Sequence, residues 1–155
     1  MRFLIGLALL CHMASGAPTE RAPPVFEIDR FFAGGLPPTT RNFVMFSIQP
    51  TPGADFANCT INTDTGAVVP TVEKLVCSDI NSVTWSLEPM GTGMHFSVWW
   101  AFTSHASLYG GIHFYESYFK ETTLADGSKV QTYVGPHKFT LETTTVMKMP
   151  GEKRE

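Results

Sequence analysis

The stretch that decides the fold is VTWSLEPMGTGMHFSVWW, residues 83–100. Large apolar side chains alternate with smaller or polar ones in residues 83–88, and the alternation returns in residues 94–101. Because successive side chains of a β-strand point to opposite faces, each segment is predicted as a strand with one apolar face. The segment PMGTG, residues 89–93, lies between them and is rich in turn-forming residues. The stretch therefore predicts a β-hairpin.

The rest of the chain repeats this pattern in short segments separated by Gly, Pro and Asp turns. Further strands are predicted over residues 25–32, 44–48, 58–63, 108–115, 119–122, 129–134 and 139–145. Phe31-Phe32 indicates a bulge or a strand end, and Gly110-Gly111 a bulge or bend. Residues 34–38 are predicted as a loop, and residues 68–77, which contain Pro70, as a loop or broken edge strand. Without helical periodicity, the chain is predicted as all-β, a compact antiparallel β-barrel or β-sandwich.

The predicted β-domain spans residues 25–145, and the two ends of the chain differ from it in composition. Residues 1–16 have the parts of a signal peptide: Arg2, an apolar run, and small residues before the expected cut. That run is too short to span a bilayer, and no later stretch is long enough, so no membrane insertion is expected. Residues 17–24 are predicted as a Pro-rich arm and residues 146–155 as a charged, disordered tail. The mature protein is expected to be secreted and extracellular.

The cysteines support the same compartment. Removal of the signal peptide takes away Cys11 and leaves Cys59 and Cys77 as an even pair. In an oxidising compartment two thiols without a competitor are expected to form one intrachain disulfide. The alternation of residues 58–63 turns Cys59 toward the core and Asn58 outward. No thiol is then left for a metal site, for nucleophilic catalysis or for a covalent dimer.

Charge limits the classes of partner. The chain of 155 residues has a formal net charge of −3, and loss of Arg2 with the signal peptide makes the mature chain more acidic. Nucleic acid is therefore not an expected partner. This length is enough for one domain with one core.

Several segments come in an order that resembles a known family. They are VFEIDRFFA at 25–33, FSI at 46–48, the pair Cys59-Thr60, residues 70–77, VTW at 83–85 and YVGPHKF at 133–139. Over roughly residues 25–141 the chain resembles the small secreted fungal proteins related to the Alternaria major allergen. The resemblance implies a compact β-barrel or sandwich secreted by a filamentous fungus. Some proteins of that family are recognised by plants or by human IgE. Several of them are regarded as effectors or elicitors that bind host proteins.

The chain also departs from that family. The resemblance implies a scaffold with more than one intrachain disulfide and a further cysteine for dimerisation. This mature chain keeps a single pair of cysteines. Neither a covalent dimer nor an allergenic property therefore carries over. None of the matched positions is a defined site motif, so no binding residue of the family is transferred.

Catalytic and metal-binding patterns are weak. His95, His105, His113 and His137 lack the spacing of a cupin metal site, and His95, which shares a face with Ser97 and Trp99, is expected on a solvated polar face. The carboxylates fit surface charge rather than a paired glycosidase site. No Gly-x-Ser-x-Gly elbow, dinucleotide fingerprint or phosphate loop is present. The chain is thus predicted not to be an enzyme, with no cofactor and no metal; a secreted hydrolase or metalloenzyme is the alternative that these patterns disfavour.

Aromatic residues supply the candidate binding site. Trp99 and Trp100 are consecutive, so in a strand they face opposite sides. If Trp100 joins the core, Trp99 with Phe102 and Tyr109 could be partly exposed and anchor a partner. The alternative is a sheet buried on both faces, with residues 70–77 covering the outer side. Separately, Asn58-Cys59-Thr60 is a glycosylation sequon with an unfavourable central cysteine, which makes Asn58 a candidate modification site.

These observations lead to one function prediction and one alternative. The prediction is a secreted non-enzymatic fungal protein that acts by binding, an effector-like or elicitor-like protein that recognises a host or cell-surface protein. The alternative is an extracellular carrier that holds a small apolar ligand inside its β-barrel, which requires an internal cavity of about 300 Å³ or more. The sequence leaves the oligomeric state and the identity of the partner open.

Overall fold

The computed structural model describes residues 24–35, 41–64 and 68–147. The predicted signal peptide, residues 17–23 of the arm and residues 148–155 of the tail lie outside the described residues. The elements are β1 (Val25–Gly35), β2 (Asn42–Gln49), β3 (Ala57–Thr63), β4 (Val72–Val76), β5 (Val83–Met90), β6 (Gly93–Ala101), β7 (Ala106–Tyr115), a 3₁₀ turn (Glu116–Tyr118), β8 (Phe119–Thr123), β9 (Lys129–Tyr133) and β10 (Phe139–Met147).

The strands form one antiparallel, nearly closed β-barrel. Their order is β3-β2-β1-β10-β7-β6-β5-β4, and the β8–β9 hairpin attaches to β1 through β9. This architecture, with its one disulfide, confirms the predicted all-β fold. In the described part of the chain, no helix is long and apolar enough to cross a membrane.

The hairpin that the sequence predicts is formed by β5 and β6. Its ladder runs without interruption from the pair Val83 and Trp100 to the pair Met90 and Gly93. Gly91 takes the left-handed conformation that a tight turn needs, with φ of +59°. The turn predicted over residues 89–93 is therefore shorter: Pro89 and Met90 belong to β5 and Gly93 to β6, which leaves Gly91 and Thr92 as the turn.

Strand β1 continues through Gly35, so the loop predicted over residues 34–38 is wrong at its first two positions, and its residues 36–38 lie outside the described residues. Gly34 pairs with Phe43 of β2 and also with Thr132 of β9. Its φ is +125°, and a Cβ there would lie 2.3 Å from the carbonyl oxygen of Gln131. The glycine is required by the close approach of β9 and not by a turn.

Strand β7 is regular at the glycine pair where a bulge was predicted. Its register with β6 is unbroken through Gly110 and Gly111. A Cβ on Gly110 would lie 2.9 Å from the Cβ of Leu141, and one on Gly111 would lie 2.7 Å from the Tyr109 hydroxyl. The two glycines make room for a core side chain on one face and for the ring of Tyr109 on the other.

Two other boundaries differ from or refine the prediction. Residues 70–77 contain β4, whose register against β5 shifts between Val72 and Leu75, as expected of a broken edge strand. Strand β10 ends at Met147, so Val146 and Met147 pair with β7 instead of starting the tail. The bulge predicted at Phe31-Phe32 is present, because the register of β1 against β2 shifts between Asp29 and Phe32.

Aromatic rings fill the inside of the barrel. The ring of Phe31 lies at the centre, and the centroids of four other rings are 4.9 to 5.7 Å away: Phe96, Phe114, Tyr133 and Phe139. Phe46 and Trp85 continue this cluster, with centroids 5.2 Å apart. Full burial of a large apolar side chain stabilises a fold by roughly 1.5–3 kcal/mol, so this cluster accounts for much of the stability of the barrel.

Candidate functional site

The disulfide closes the seam of the barrel. Strands β3 and β4 are the two ends of the strand order and do not pair with each other in a ladder. Cys59 lies in β3 and Cys77 directly follows β4, and the bond between them joins these two ends. Both cysteines are buried, which confirms that Cys59 faces the core.

Side chains from the loop after β4 cover the free edge of β3. The carboxylate of Asp79 accepts hydrogen bonds from the backbone N–H of Asn58 at 3.0 Å and from its Nδ2 at 2.9 Å. The hydroxyl of Ser78 accepts one from the backbone N–H of Thr60 at 3.2 Å. Since a bare edge would offer its N–H groups to another chain, these contacts protect the seam.

Asn58 connects the seam to the outer face of β1 and β2. Its Oδ1 accepts hydrogen bonds from the Ser47 hydroxyl at 2.9 Å and from Nη2 of Arg30 at 3.1 Å. The residue is exposed, as its position in the strand predicts. Its glycosylation stays a prediction.

Arg30 sits in the β1 bulge and has an unusual backbone. Its φ is +54°, in the left-handed region that residues with a side chain rarely occupy. The next residue is held by His137, because the Phe31 N–H donates to the His137 carbonyl at 2.9 Å and the Phe31 carbonyl lies 2.7 Å from Nδ1 of His137. Beside Arg30 is a surface cleft of about 140 Å³, lined by Arg30, Met45, Phe46, Ser47, Asn58 and Thr60.

A second surface feature is a strip of rings on the outer face of β6 and β7. We call it the aromatic strip; it consists of Trp99, Tyr109, His95, His113 and Tyr115. The Trp99 and Tyr109 rings are cross-strand neighbours with centroids 5.3 Å apart. The Tyr109 hydroxyl lies 3.2 Å from Nε2 of His95, His95 pairs with His113, and the His113 and Tyr115 centroids are 5.0 Å apart.

The aromatic strip contacts a buried polar side chain of the sheet. Ser97 is buried, and its hydroxyl is 3.3 Å from that of Tyr109. Trp99, Tyr109 and His95 are half-buried, whereas Tyr115 is 61% exposed. His95 is therefore on the predicted face, but it contacts a ring neighbour and is not fully solvated.

The architecture of this chain has counterparts among solved structures. Two crystal structures of the Alternaria alternata major allergen Alt a 1 match it: one at 14% identity and a TM-score of 0.54, over 81% of this chain and 96% of that chain. The other matches at 12% identity and a TM-score of 0.55, over 85% of this chain and 97% of that chain. The chain has the fold of Alt a 1. The likeness confirms the resemblance inferred from the sequence at the level of fold. No protein-family profile and no curated protein sequence matches the chain.

Within this Alt a 1 fold, the three residues predicted to bind a partner do not form one group. Trp99 and Tyr109 are together in the aromatic strip. Phe102 lies beyond the end of β6, where it is 43% exposed and packs against Trp100, with ring centroids 5.8 Å apart. Trp100 packs against the core at half burial, on the opposite side from Trp99, as predicted.

Residues 70–77 lie partly over the aromatic strip, at Trp99, which is half-buried. Their contact with the ring of Trp99 comes from Lys74, whose Nζ lies 5.0 Å from the ring centroid. Such a cation–π contact orients the indole at little cost, because the lysine remains exposed. Over residues 24–35, 41–64 and 68–147, no three His, Cys, Asp or Glu side chains are placed to hold a metal ion together.

Proposed function

We propose that this chain is a secreted, non-enzymatic β-barrel protein that acts by binding a host or cell-surface protein, as effectors and elicitors do. The signal-peptide pattern of residues 1–16 supports secretion, and so does the disulfide between Cys59 and Cys77. The fold shared with an Alternaria allergen is consistent with an extracellular protein of fungal type.

The aromatic strip is the observation that carries this proposal. Tyr and Trp side chains are enriched where proteins bind one another, since they bury a large area and lose little conformational entropy. Here Trp99 is positioned by Lys74 on one side and by Tyr109 on the other. A partner would thus contact rings that are already ordered, so binding would cost little side-chain conformational entropy.

The same structure gives the carrier alternative no support. A barrel that carries an apolar ligand needs an internal space of about 300 Å³ or more. In this chain the ring of Phe31 and its four neighbours occupy the middle of the barrel. The cleft beside Arg30 is at the surface and has about 140 Å³.

The experiment is a pull-down from plant tissue extract with mature protein, residues 17–155, and two variants. Trp99→Thr removes the indole but keeps a residue that suits a strand. Val134→Thr is the matched control, because Val134 is 53% exposed and lies outside the aromatic strip. The proposal expects a protein that is enriched by the wild type and by Val134→Thr and is lost with Trp99→Thr. Equal enrichment by all three proteins would contradict the role of the strip, and co-purification of a lipid or phenolic without a protein would contradict binding to a protein altogether.

A further inference from the structure

We propose that the cleft beside Arg30 binds a small carboxylate whose apolar body is about the size of a benzene ring. This site is on the outer face of β1, β2 and β3, whereas the aromatic strip is on β6 and β7. The proposal goes beyond the proposed function and does not depend on it.

The guanidinium of Arg30 is fixed and still has donors to offer. Its Nη2 donates to the Ser47 hydroxyl at 2.6 Å and to Oδ1 of Asn58 at 3.1 Å. An arginine has five N–H donors, and the two described side-chain hydrogen bonds of Arg30 both use Nη2. The residue is exposed, so its Nε–H and Nη1 hydrogens face solvent and are accessible to a ligand. The described ion pairs join Arg41 with Asp64, Lys129 with Glu121, and Lys138 with Glu27, and none of them includes Arg30. The side chain is therefore a positive charge held in place without a counter-ion.

The backbone of Arg30 gives an independent reason to expect a ligand. A φ of +54° costs a residue with a side chain on the order of 1 kcal/mol or more, and such conformations cluster at ligand-binding positions. Here two contacts maintain it: Asp29 Oδ1 accepts the Arg30 backbone N–H at 2.9 Å, and His137 binds both backbone groups of Phe31. The bulge directs a long cationic side chain across β2 to β3, which a regular strand would not do.

The shape of the cleft sets the size of the ligand. Its apolar side chain is that of Met45, which is 46% exposed, because the ring of Phe46 points into the barrel and packs on Trp85. The polar residues Ser47, Asn58 and Thr60 complete the lining. A space of about 140 Å³ is close to the roughly 150 Å³ that holds a benzene molecule in an apolar protein cavity. An apolar group packed on Met45 would place its carboxylate against the donors of Arg30, a charge-assisted pairing that arginine favours.

The neighbouring carboxylate does not compete for Arg30. Asp79 lies on the far side of the Asn58 amide, where its oxygen already accepts two hydrogen bonds from Asn58. The carboxylate chemistry could come from a free small acid or from the C-terminus of a peptide, and the same cleft would recognise either.

The test is a titration of mature protein followed by two-dimensional NMR, with benzoate and its neutral analogue benzamide as probes. Two peptides form the second arm, acetyl-Gly-Gly-Phe with a free C-terminus and the same peptide amidated. We expect saturable shifts at Arg30, Met45 and Asn58 with benzoate or with the free peptide, and at least tenfold weaker binding of the uncharged analogue. Benzoate alone would identify a free acid as the source, and the peptide alone a protein C-terminus.

Two variants make the outcome specific to the cleft. Arg30→Asn removes the guanidinium, and asparagine tolerates a positive φ better than most residues, so the bulge is retained. Met45→Glu changes an exposed side chain and places a competing carboxylate inside the cleft. Each is expected to weaken binding at least tenfold, while Val134→Thr leaves it unchanged. No saturable binding of either carboxylate probe, or binding that both variants leave intact, would overturn the proposal.

Discussion

Reduction of the Cys59–Cys77 disulfide is expected to lower the free energy of unfolding by about 3 kcal/mol at 25 °C. The bond closes a loop over a sequence separation of 18 residues. In the chain-entropy description, a cross-link of this length removes about that much conformational entropy from the unfolded state. Because the bond lies at the seam, where β3 and β4 share no ladder, reduction leaves the hydrogen bonds of every strand pair intact.

The expected change in melting temperature follows from the size of the domain. Globular proteins gain about 2.1 cal/mol/K of entropy per residue on unfolding, so over residues 25–147 a loss of 3 kcal/mol lowers Tm by about 12 °C. The reduced protein should still fold, since the ring cluster around Phe31 does not depend on the seam.

The assay is urea unfolding of mature protein with and without a reductant, followed by tryptophan fluorescence, to which the buried Trp85 contributes together with Trp99 and Trp100. The double variant Cys59→Ala/Cys77→Ala serves as a second measurement without reductant. Amide hydrogen exchange should accelerate at Asn58 and Thr60 while the amides of the β5–β6 hairpin stay protected. A loss below about 1 kcal/mol, or faster exchange spread evenly over the barrel, would refute the assignment of the bond to the seam.

Two further predictions concern single residues, Gly34 of β1 and Tyr133 of β9. Gly34→Ala should lower the free energy of unfolding, measured in urea, by at least about 2 kcal/mol, because the φ of Gly34 is +125° and the new Cβ would lie 2.3 Å from the Gln131 carbonyl oxygen. The control is Gly127→Ala, where φ is +82° and a Cβ would meet open space; it should lower the free energy of unfolding by only about 1 kcal/mol. Burial, aided by the charge of Tyr118, raises the pKa of Tyr133 to about 12. The unfolded phenol loses its proton near pH 10, so stability should fall as the pH rises from 10 to 12, and Tyr133→Phe should remove that part of the pH dependence; an unchanged profile in the variant would contradict it.

Local features of the fold could be predicted from the sequence. The β5–β6 hairpin, the bulge at Phe31 and the opposite orientations of Asn58 and Cys59 all follow from the two-residue period of a strand. The disulfide followed from counting cysteines after removal of the signal peptide. Each of these inferences needs only residues that are close together in the chain.

Features that depend on distant segments could not be predicted. Gly34 suggests a turn in sequence, but it is a strand residue because β9, almost a hundred positions later, approaches its backbone. The positive φ of Arg30 likewise depends on His137 holding the bulge from the other end of the domain. Nothing in the residues near Arg30 indicates this contact.

Only part of the candidate binding surface could be predicted, because the rest of it also depends on contacts between distant segments. Alternation placed Trp99 on the outer face, but only the register of β6 against β7 brings Tyr109 beside it and His95 beside His113. Phe102 was grouped with them because it is close in sequence, yet β6 ends at Ala101 and the residue beyond it packs on Trp100. The register of a strand pair is a long-range property that a single sequence does not specify.

The most direct measurement of the central claim is the dissociation constant of the captured partner for wild-type protein and for Trp99→Thr. If the aromatic strip is the binding surface, loss of the indole should cost about 2 kcal/mol or more, a weakening of at least roughly 30-fold. Val134→Thr should bind as the wild type does, and the melting temperatures of all three proteins show whether the fold is retained. Equal affinity of wild type and Trp99→Thr would contradict the claim that this strip is where the protein binds.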